Sequence, residues 1–462
     1  MGITVGVDVG TSATKALVVD DDGYVLKSTC LRHDLMIPSL HRFEHNARRV
    51  WRDQTRTAFS FILSQLDHPD CVSGVCVTGI VPSLTAVDAE GVPLGAGILY
   101  GDERGATSHA ASFVEDPTLG LGAIQQASGF LSYLYNTFPA AAGYWPAQAV
   151  ASYVLGGSPL IDTTVAMTML PLQDGINWDR AALQTIGALP CQLPPVAQVA
   201  TVGGEVQVGE GKAALVAGSA DAFCEQLVSG ANLEGDVLLV AGSTMIVWIV
   251  TSKTEAVDGL WSVPHLHPGV NLLGGPSSVG GTFIEWACSL SGSRLKDSLP
   301  LPHDPFSIPV WRPYELRDRI RARQSAVAEL TDLNPLHGPV AIRRAAFEAS
   351  GFVVRQYLER AKQAGIEAKR IIAGGGGSRS KEWMQAIADC TGLPVEVSSV
   401  AQSGALGAAY LARLAVGLES SLDDARRWHR VDRVVEPDQI WRESVDRRYV
   451  KFVKLTKEQV DL

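Results

Sequence analysis

The sequence predicts an α/β protein built as two related halves that share a cleft. Three observations carry this expectation. A chain of 462 residues exceeds what one hydrophobic core usually supports, so two domains are the default. One device, a strand, a Gly-hydroxyl-hydroxyl tip and a second strand, occurs at residues 3–19 and again at 237–250. Finally, Arg370-Ile371-Ile372-Ala373 reads as a strand that runs through four glycines into a helix with Trp383, Met384 and Ile387 inward.

The first hairpin sets the chemistry. Ile3 to Val7 and Ala16 to Val19 are strands flanking Asp8-Val9-Gly10-Thr11-Ser12-Ala13-Thr14-Lys15. Such a tip offers backbone N–H groups and hydroxyls to an anion, and Gly10 lets main chain approach phosphate oxygens. Asp8 closes the strand where a carboxylate can hold Mg²⁺ through water, with the Lys15 charge nearby. An ordinary hairpin with a polar tip has the same local pattern. With a third strand, residues 1–30 form a meander, and residues 44–66 carry helical periodicity.

Val72 to Gly79 is a further buried strand, followed by a strand and tight turn at Thr85 to Gly91. Gly97-Ile98-Leu99 then runs into Asp102 and Arg104, two residues apart at a loop bordering the expected cleft; a surface ion pair is the alternative. Residues 106–160 are poor in charge, and no lysine occurs between Lys27 and Lys212. Ala214 to Ala217 is a strand leading through Gly218-Ser219-Ala220 to Asp221 at the start of a helix that stops at Gly230. The positive end of that helix is expected to keep the Asp221 carboxylate ionised and able to accept a proton, although a plain N-cap would look the same. In the second half, Gly242-Ser243-Thr244 forms the repeated tip. Gly280-Gly281-Thr282 opens another helix, and Gly374 to Gly377 lies flat before the next, a geometry suited to nucleotide contact. No P-loop is present, and no glycine run matches a dinucleotide fingerprint.

Composition excludes several classes. The chain is 46% hydrophobic and 19% charged, with a net charge of −10, so no nucleic-acid footprint is expected. The longest apolar run, Val237 to Val250, is too short to span a bilayer, and no signal peptide is evident, so no membrane partner is expected. Seven cysteines without a C-x-x-C pair fit reduced thiols in the cytoplasm.

Taken in order, these segments resemble the FGGY carbohydrate kinases of the actin-like, sugar-kinase and Hsp70 superfamily, over roughly residues 3–415. Asp8 to Lys15 resembles the first phosphate motif, and Gly97 to Arg104 a strand ending in Trp-x-Asp-x-Arg, with Tyr100 for Trp. Asp162-Thr163-Thr164-Val165-Ala166 is similar to Asp-x-Ser-x-Ala, Gly218 to Asp221 to the Gly-x-x-Asp of the base, and Gly242-Ser243-Thr244 to the second phosphate motif. The resemblance implies two ribonuclease H-like domains around a central cleft: 1–232 for sugar, first phosphate motif and base, 233–440 for nucleotide, and a tail at 441–462.

It further implies ATP and Mg²⁺ as cofactors and a small sugar or polyol as substrate, with a homodimer as the family's habit. Asp221 becomes the catalytic base and Asp8 the metal ligand. Gly10, Thr11, Ser12, Lys15, Gly242, Ser243, Thr244, Gly281, Glu285, Gly375, Gly376, Gly377 and Ser380 fall to the nucleotide. Val81, Pro82, Ser83, Asp102 and Arg104, with Asp221, fall to the substrate. Xylulose kinases usually carry Gly-Gln-Met-His-Gly where this chain has Gly79-Ile80-Val81-Pro82-Ser83, and the family's lysine-bearing first signature is missing. The expected substrate is a pentulose such as D-xylulose. Another ketose, a polyol such as glycerol or erythritol, or an aldonate remains open, as does a non-catalytic nucleotide-dependent sensor of the actin-like kind.

Overall fold

A computed structural model describes residues 2–39, 42–106, 126–255, 257–265, 269–297, 299–300, 302, 304–313, 328–399 and 403–457. The charge-poor stretch at 106–160 therefore lies partly outside the described residues. The chain divides into two compact units, Met1–Gly230 with Gln402–Trp428, and Ala231–Ala401 with His429–Leu462.

In the first unit, β1 (Ile3–Val9), β2 (Ala13–Val19) and β3 (Val25–Arg32) form an antiparallel meander. β4 (Val72–Gly79) joins β1 in parallel and β5 (Gly211–Ala220) joins β4 in parallel, giving the order β3-β2-β1-β4-β5. β1, β2 and β4 are buried almost throughout, as their unbroken apolar runs require of strands covered on both faces.

The second unit repeats the plan. β6 (Asp236–Ala241), β7 (Met245–Thr251) and β8 (Asn271–Ser277) are the meander, and β9 (Arg370–Gly374) and β10 (Val395–Ser398) add in parallel beyond β6. The order β8-β7-β6-β9-β10 is that of the first unit, and each unit is a ribonuclease H-like sheet. The pattern repeat at the two tips thus reflects a repeat of topology.

The compact units depart from the expected boundaries at two places. The stretch 402–428 returns to the first unit. Its helix Ser403–Ala415 lies on β1 so closely that a Cβ on Gly6 would stand 1.8 Å from Ala405 O, and one on Gly407 would stand 2.0 Å from Cys224 O. Farther along, Arg413 binds Glu419, Asp21 and the Gly2 carbonyl, and Tyr410 meets Trp428 edge-on. Nor do residues 441–457 form a free tail. The helix Arg442–Lys457 buries Val445, Tyr449 and Phe452 in the core of the second unit, with Phe352 against both of these aromatic rings.

The helix expected over 44–66 is also subdivided. Glu44–His45 is a short strand, Arg48–Gln54 a π-helical turn, and Thr55–Ser64 the α-helix. Glu44–His45 belongs to a small antiparallel sheet with Gly97–Leu99, Ser83–Val87 and Gly143–Trp145, which carries the Asp102 loop.

Candidate active site

The β1–β2 register sets Asp8 directly opposite Lys15, one residue before the pair Val9 and Thr14 that closes the tip. Gly10 N donates to Ala13 O, while Thr11 and Ser12 stand exposed. Lys15 Nζ lies 3.3 Å from Asp8 Oδ2. Asp8 Oδ1 is buried, its residue only 5% exposed, and has no hydrogen-bond partner among the described residues. Burial pushes the Asp8 carboxyl above its ordinary value against the pull of Lys15 and His33. Asp8 in turn raises the Lys15 ammonium by more than burial lowers it. A cation fits that orphaned oxygen. Beside it, Gly404 leaves room, since a Cβ there would come 3.4 Å from the carboxylate. Among the described residues no three His, Cys, Asp or Glu side chains gather to hold a metal by themselves. One carboxylate with phosphate oxygens and water is the usual provision for Mg²⁺.

β5 delivers Asp221 as the first residue of the helix Asp221–Leu227, where its Oδ1 accepts from Ala222 N at 2.8 Å. The expected ionised state does not follow. Burial, the charge on Asp8 and that on Glu225 outweigh the helix amide and Lys15, and together push the carboxyl up to about 8. Glu225 lies one turn along the same helix face and accepts from Ser403 Oγ at 2.6 Å. Sequence reading missed it, although its i, i+4 spacing from Asp221 was visible.

The end of β5 is tied down by the segment resembling Asp-x-Ser-x-Ala. Asp162 caps the short helix Thr163–Met167, accepting from Thr164 N and, at 2.5 Å, from Thr164 Oγ1. Thr164 Oγ1 accepts in turn from Ala220 N at 2.9 Å and meets Ser219 Oγ at 3.1 Å. Residues 162–164 thus fix the Ser219–Ala220 peptide, one residue short of Asp221.

The expected substrate residues are more buried than a contact role requires. Asp102 is fully enclosed and accepts from Phe43 N, Arg104 N, Arg104 Nε and Arg104 Nη2, the last at 2.6 Å. Arg104 also reaches Glu44 at 2.7 Å and stacks over Tyr133. The pair is neither at the surface nor free for a ligand; it locks the small sheet. Ser83 is buried, its Oγ accepting from Ala147 N at 3.1 Å, while Pro82 O accepts from Tyr100 N and Val81 keeps partial exposure.

In the second unit the Gly242–Thr244 tip is held by the helix Gly281–Leu290: Gly281 N donates to Gly242 O at 2.8 Å and Thr282 N to Ser243 O at 3.1 Å. The Gly281 amide is therefore used inside the protein. Glu285 is exposed and accepts from Leu295 N. Gly375 has φ +81°, and a Cβ on Gly377 would meet the Trp383 ring at 2.1 Å, so the fold itself needs both glycines. Gly376 has nothing within 4 Å of its Cβ position. Ser380 caps the helix Lys381–Thr391 by accepting from Trp383 N. Among the described residues no helix is long and apolar enough to cross a membrane, and all seven cysteines are free thiols.

Comparison with known proteins gives a consistent answer. Residues 3–140 match the N-terminal domain of the FGGY family of carbohydrate kinases, and residues 237–416 its C-terminal domain. A xylulose kinase of Staphylococcus xylosus is 23% identical over 446 residues, covering 90% of this chain and 91% of its own. A glycerol kinase of Clavibacter michiganensis is 26% identical, covering 99% and 98%. The crystal structure of a xylulose kinase from Rhodospirillum rubrum superposes with a TM-score of 0.83 at 22% identity, covering 99% and 98%.

Proposed function

Because the chain belongs to the FGGY family of carbohydrate kinases, whose members use ATP, we propose that it phosphorylates a pentulose such as D-xylulose with Asp221 as general base. The observation that carries this reading is the grouping of Asp221, Asp8 and Lys15 within each other's electrostatic reach beside the exposed Thr11–Ser12 tip. Phosphoryl transfer asks a protein mainly for positioning and charge neutralisation. The Thr11 and Ser12 amides and hydroxyls receive phosphate oxygens, and Lys15 offsets their charge. Mg²⁺ held through Asp8 would neutralise further phosphate charge.

Asp221 acts in its ionised form, whose share grows as pH rises toward about 8: the acceptor hydroxyl gives its proton to that carboxylate, its oxygen bonds to the γ-phosphorus, and the bond from that phosphorus to the β–γ bridging oxygen breaks to release ADP. Thr164 acts at one remove by holding the Ala220 peptide. Gly376, with open space before it, is the glycine of the second unit best suited to lie against the nucleotide.

A second acceptor reading, a polyol such as glycerol, is favoured by the glycerol kinases among the relatives. The test is ADP release with a panel of ketoses, polyols and aldonates against a blank without acceptor. A response to one acceptor that Asp221→Asn abolishes supports the proposal. ATP hydrolysis that no acceptor stimulates, and that Asp221→Asn leaves unchanged, overturns it.

A further inference from the structure

Two histidines outside every motif lie directly behind the first tip. His33, just past β3, places Nε2 3.0 Å from Gly10 O, and its own backbone N donates to Ser12 O at 3.0 Å. His45 places Nε2 2.9 Å from Thr11 O. The carbonyls of three successive tip residues are thus taken from one side by two residues.

The His45 tautomer is determined. Trp51 Nε1 donates to its Nδ1 at 3.1 Å, so Nε2 carries the proton and donates to Thr11 O. Burial keeps this ring neutral, pushing it down to about 4. The π-helical turn Arg48–Gln54 supplies both supports, Trp51 behind His45 and the Gln54 amide 2.9 Å from His33 Nδ1, and a neutral His33 ring donates from Nε2 to Gly10 O only when that amide turns its NH2 to Nδ1. The two rings meet edge-to-face at 4.8 Å.

In a trans peptide the C=O and the following N–H point in opposite directions. Binding the Gly10 and Thr11 carbonyls from behind therefore turns the Thr11 and Ser12 N–H groups outward, and among the described residues neither has an acceptor. The second unit solves the same problem at the matching positions with backbone alone, where Gly281 N and Thr282 N bind the Gly242 and Ser243 carbonyls.

We infer that His33 and His45 are positioning residues that brace the first phosphate tip, aiming its Thr11 and Ser12 amides at the phosphates of the donor nucleotide. The inference rests on the reading of that tip as a phosphate site. Neither ring touches substrate; each acts through a carbonyl.

The experiment compares steady-state kinetics, nucleotide binding and thermal midpoint for His33→Ala, His45→Leu, His45→Gln and the double tip variant Thr11→Pro/Ser12→Pro, which removes both amides. Expected for His33→Ala is a rise in KM for ATP with a fall in kcat, together roughly three- to tenfold in kcat/KM, the usual effect of one lost hydrogen bond. KM for the acceptor and the thermal midpoint stay near wild type, and added imidazole restores part of the loss. His45 is fully buried and its leucine variant can unfold, so the conservative arm matters: glutamine offers an NH2 donor group and a carbonyl acceptor and recovers most of what leucine loses. Wild-type ATP kinetics in His33→Ala, or equal rises in both KM values tracking a lowered midpoint, overturn the brace. A double tip variant with normal ATP kinetics overturns the phosphate reading and the brace with it. An impaired tip variant beside a normal His33→Ala removes the brace alone.

Discussion

Replacing Asp221 by asparagine should stabilise the protein in alkali while abolishing its turnover. The carboxyl moves from 3.8 to about 8 because burial, Asp8 and Glu225 all disfavour its charge. Between those values the unfolded chain has released the proton and the folded chain still holds it. Stability therefore falls as pH rises from about 4 to about 8, and is level above. At about 1.4 kcal/mol per unit, the whole shift sets a ceiling of roughly 6 kcal/mol. Asp221 keeps partial contact with solvent, which screens its repulsions, so about 2 kcal/mol is expected. Asparagine preserves the shape without the charge. The assay is thermal or urea unfolding of both proteins at pH 4.5 and pH 8.5, with ADP release and ATP binding measured alongside. The variant should match wild type in acid and exceed it in alkali, with acceptor-dependent turnover down about a hundredfold or more and ATP binding nearly intact. A variant less stable than wild type at pH 8.5, or a difference that does not grow with pH, would refute the electrostatic account of the site. Equal loss of turnover and ATP binding would refute the role as base.

Three further outcomes are expected. Asp8→Ala should raise the Mg²⁺ concentration for half-maximal activity about tenfold, the loss of one charged ligand; an unchanged Mg²⁺ titration would count against that assignment. Gly376→Val should raise KM for ATP more than KM for the acceptor with no change in thermal midpoint, because its side chain enters open space, whereas Gly377→Val should unfold the second unit against Trp383. Asp102→Asn should lower stability by about 3 kcal/mol, since it breaks a buried bidentate pair and leaves Arg104 undercompensated; an unchanged unfolding midpoint with a raised acceptor KM would return Asp102 to the substrate site.

The sheets were legible because strands covered on both faces are written as continuous apolar runs, and the two hairpins because a tip must be polar and small. What depended on partners distant in the chain was not. Gly404 to Ala409 reads as a close-packed helix, but that the helix Ser403–Ala415 closes on Gly6 of β1 and on Cys224 is not written near it, which is why residues 402–428 read as part of the second domain. The Asp102–Arg104 spacing was visible, but its enclosure by Phe43, Glu44 and Tyr133 was not. Asp221 was found by its place after a strand. Its charge state was misread because the local rule sees the helix amide, whereas burial comes with the folded core and the opposing charge of Asp8 arrives from β1.

The two tips also differ in how they can fail. In the second unit the carbonyls of Gly242 and Ser243 are held by amides at a helix start, so no substitution other than proline deletes those donors. Any other change acts by prying the helix away, and at Gly280 a Cβ would stand 2.4 Å from Met245 N. In the first unit the same two bonds come from imidazoles, and a single substitution deletes either one. Substitutions behind the first tip should therefore alter nucleotide kinetics in graded steps. Those behind the second should act through folding, with thermal midpoint and activity falling together. A set of variants at His33, His45, Gly280 and Gly281 in which both units behave alike would show that carbonyl bracing is not what orients the tips.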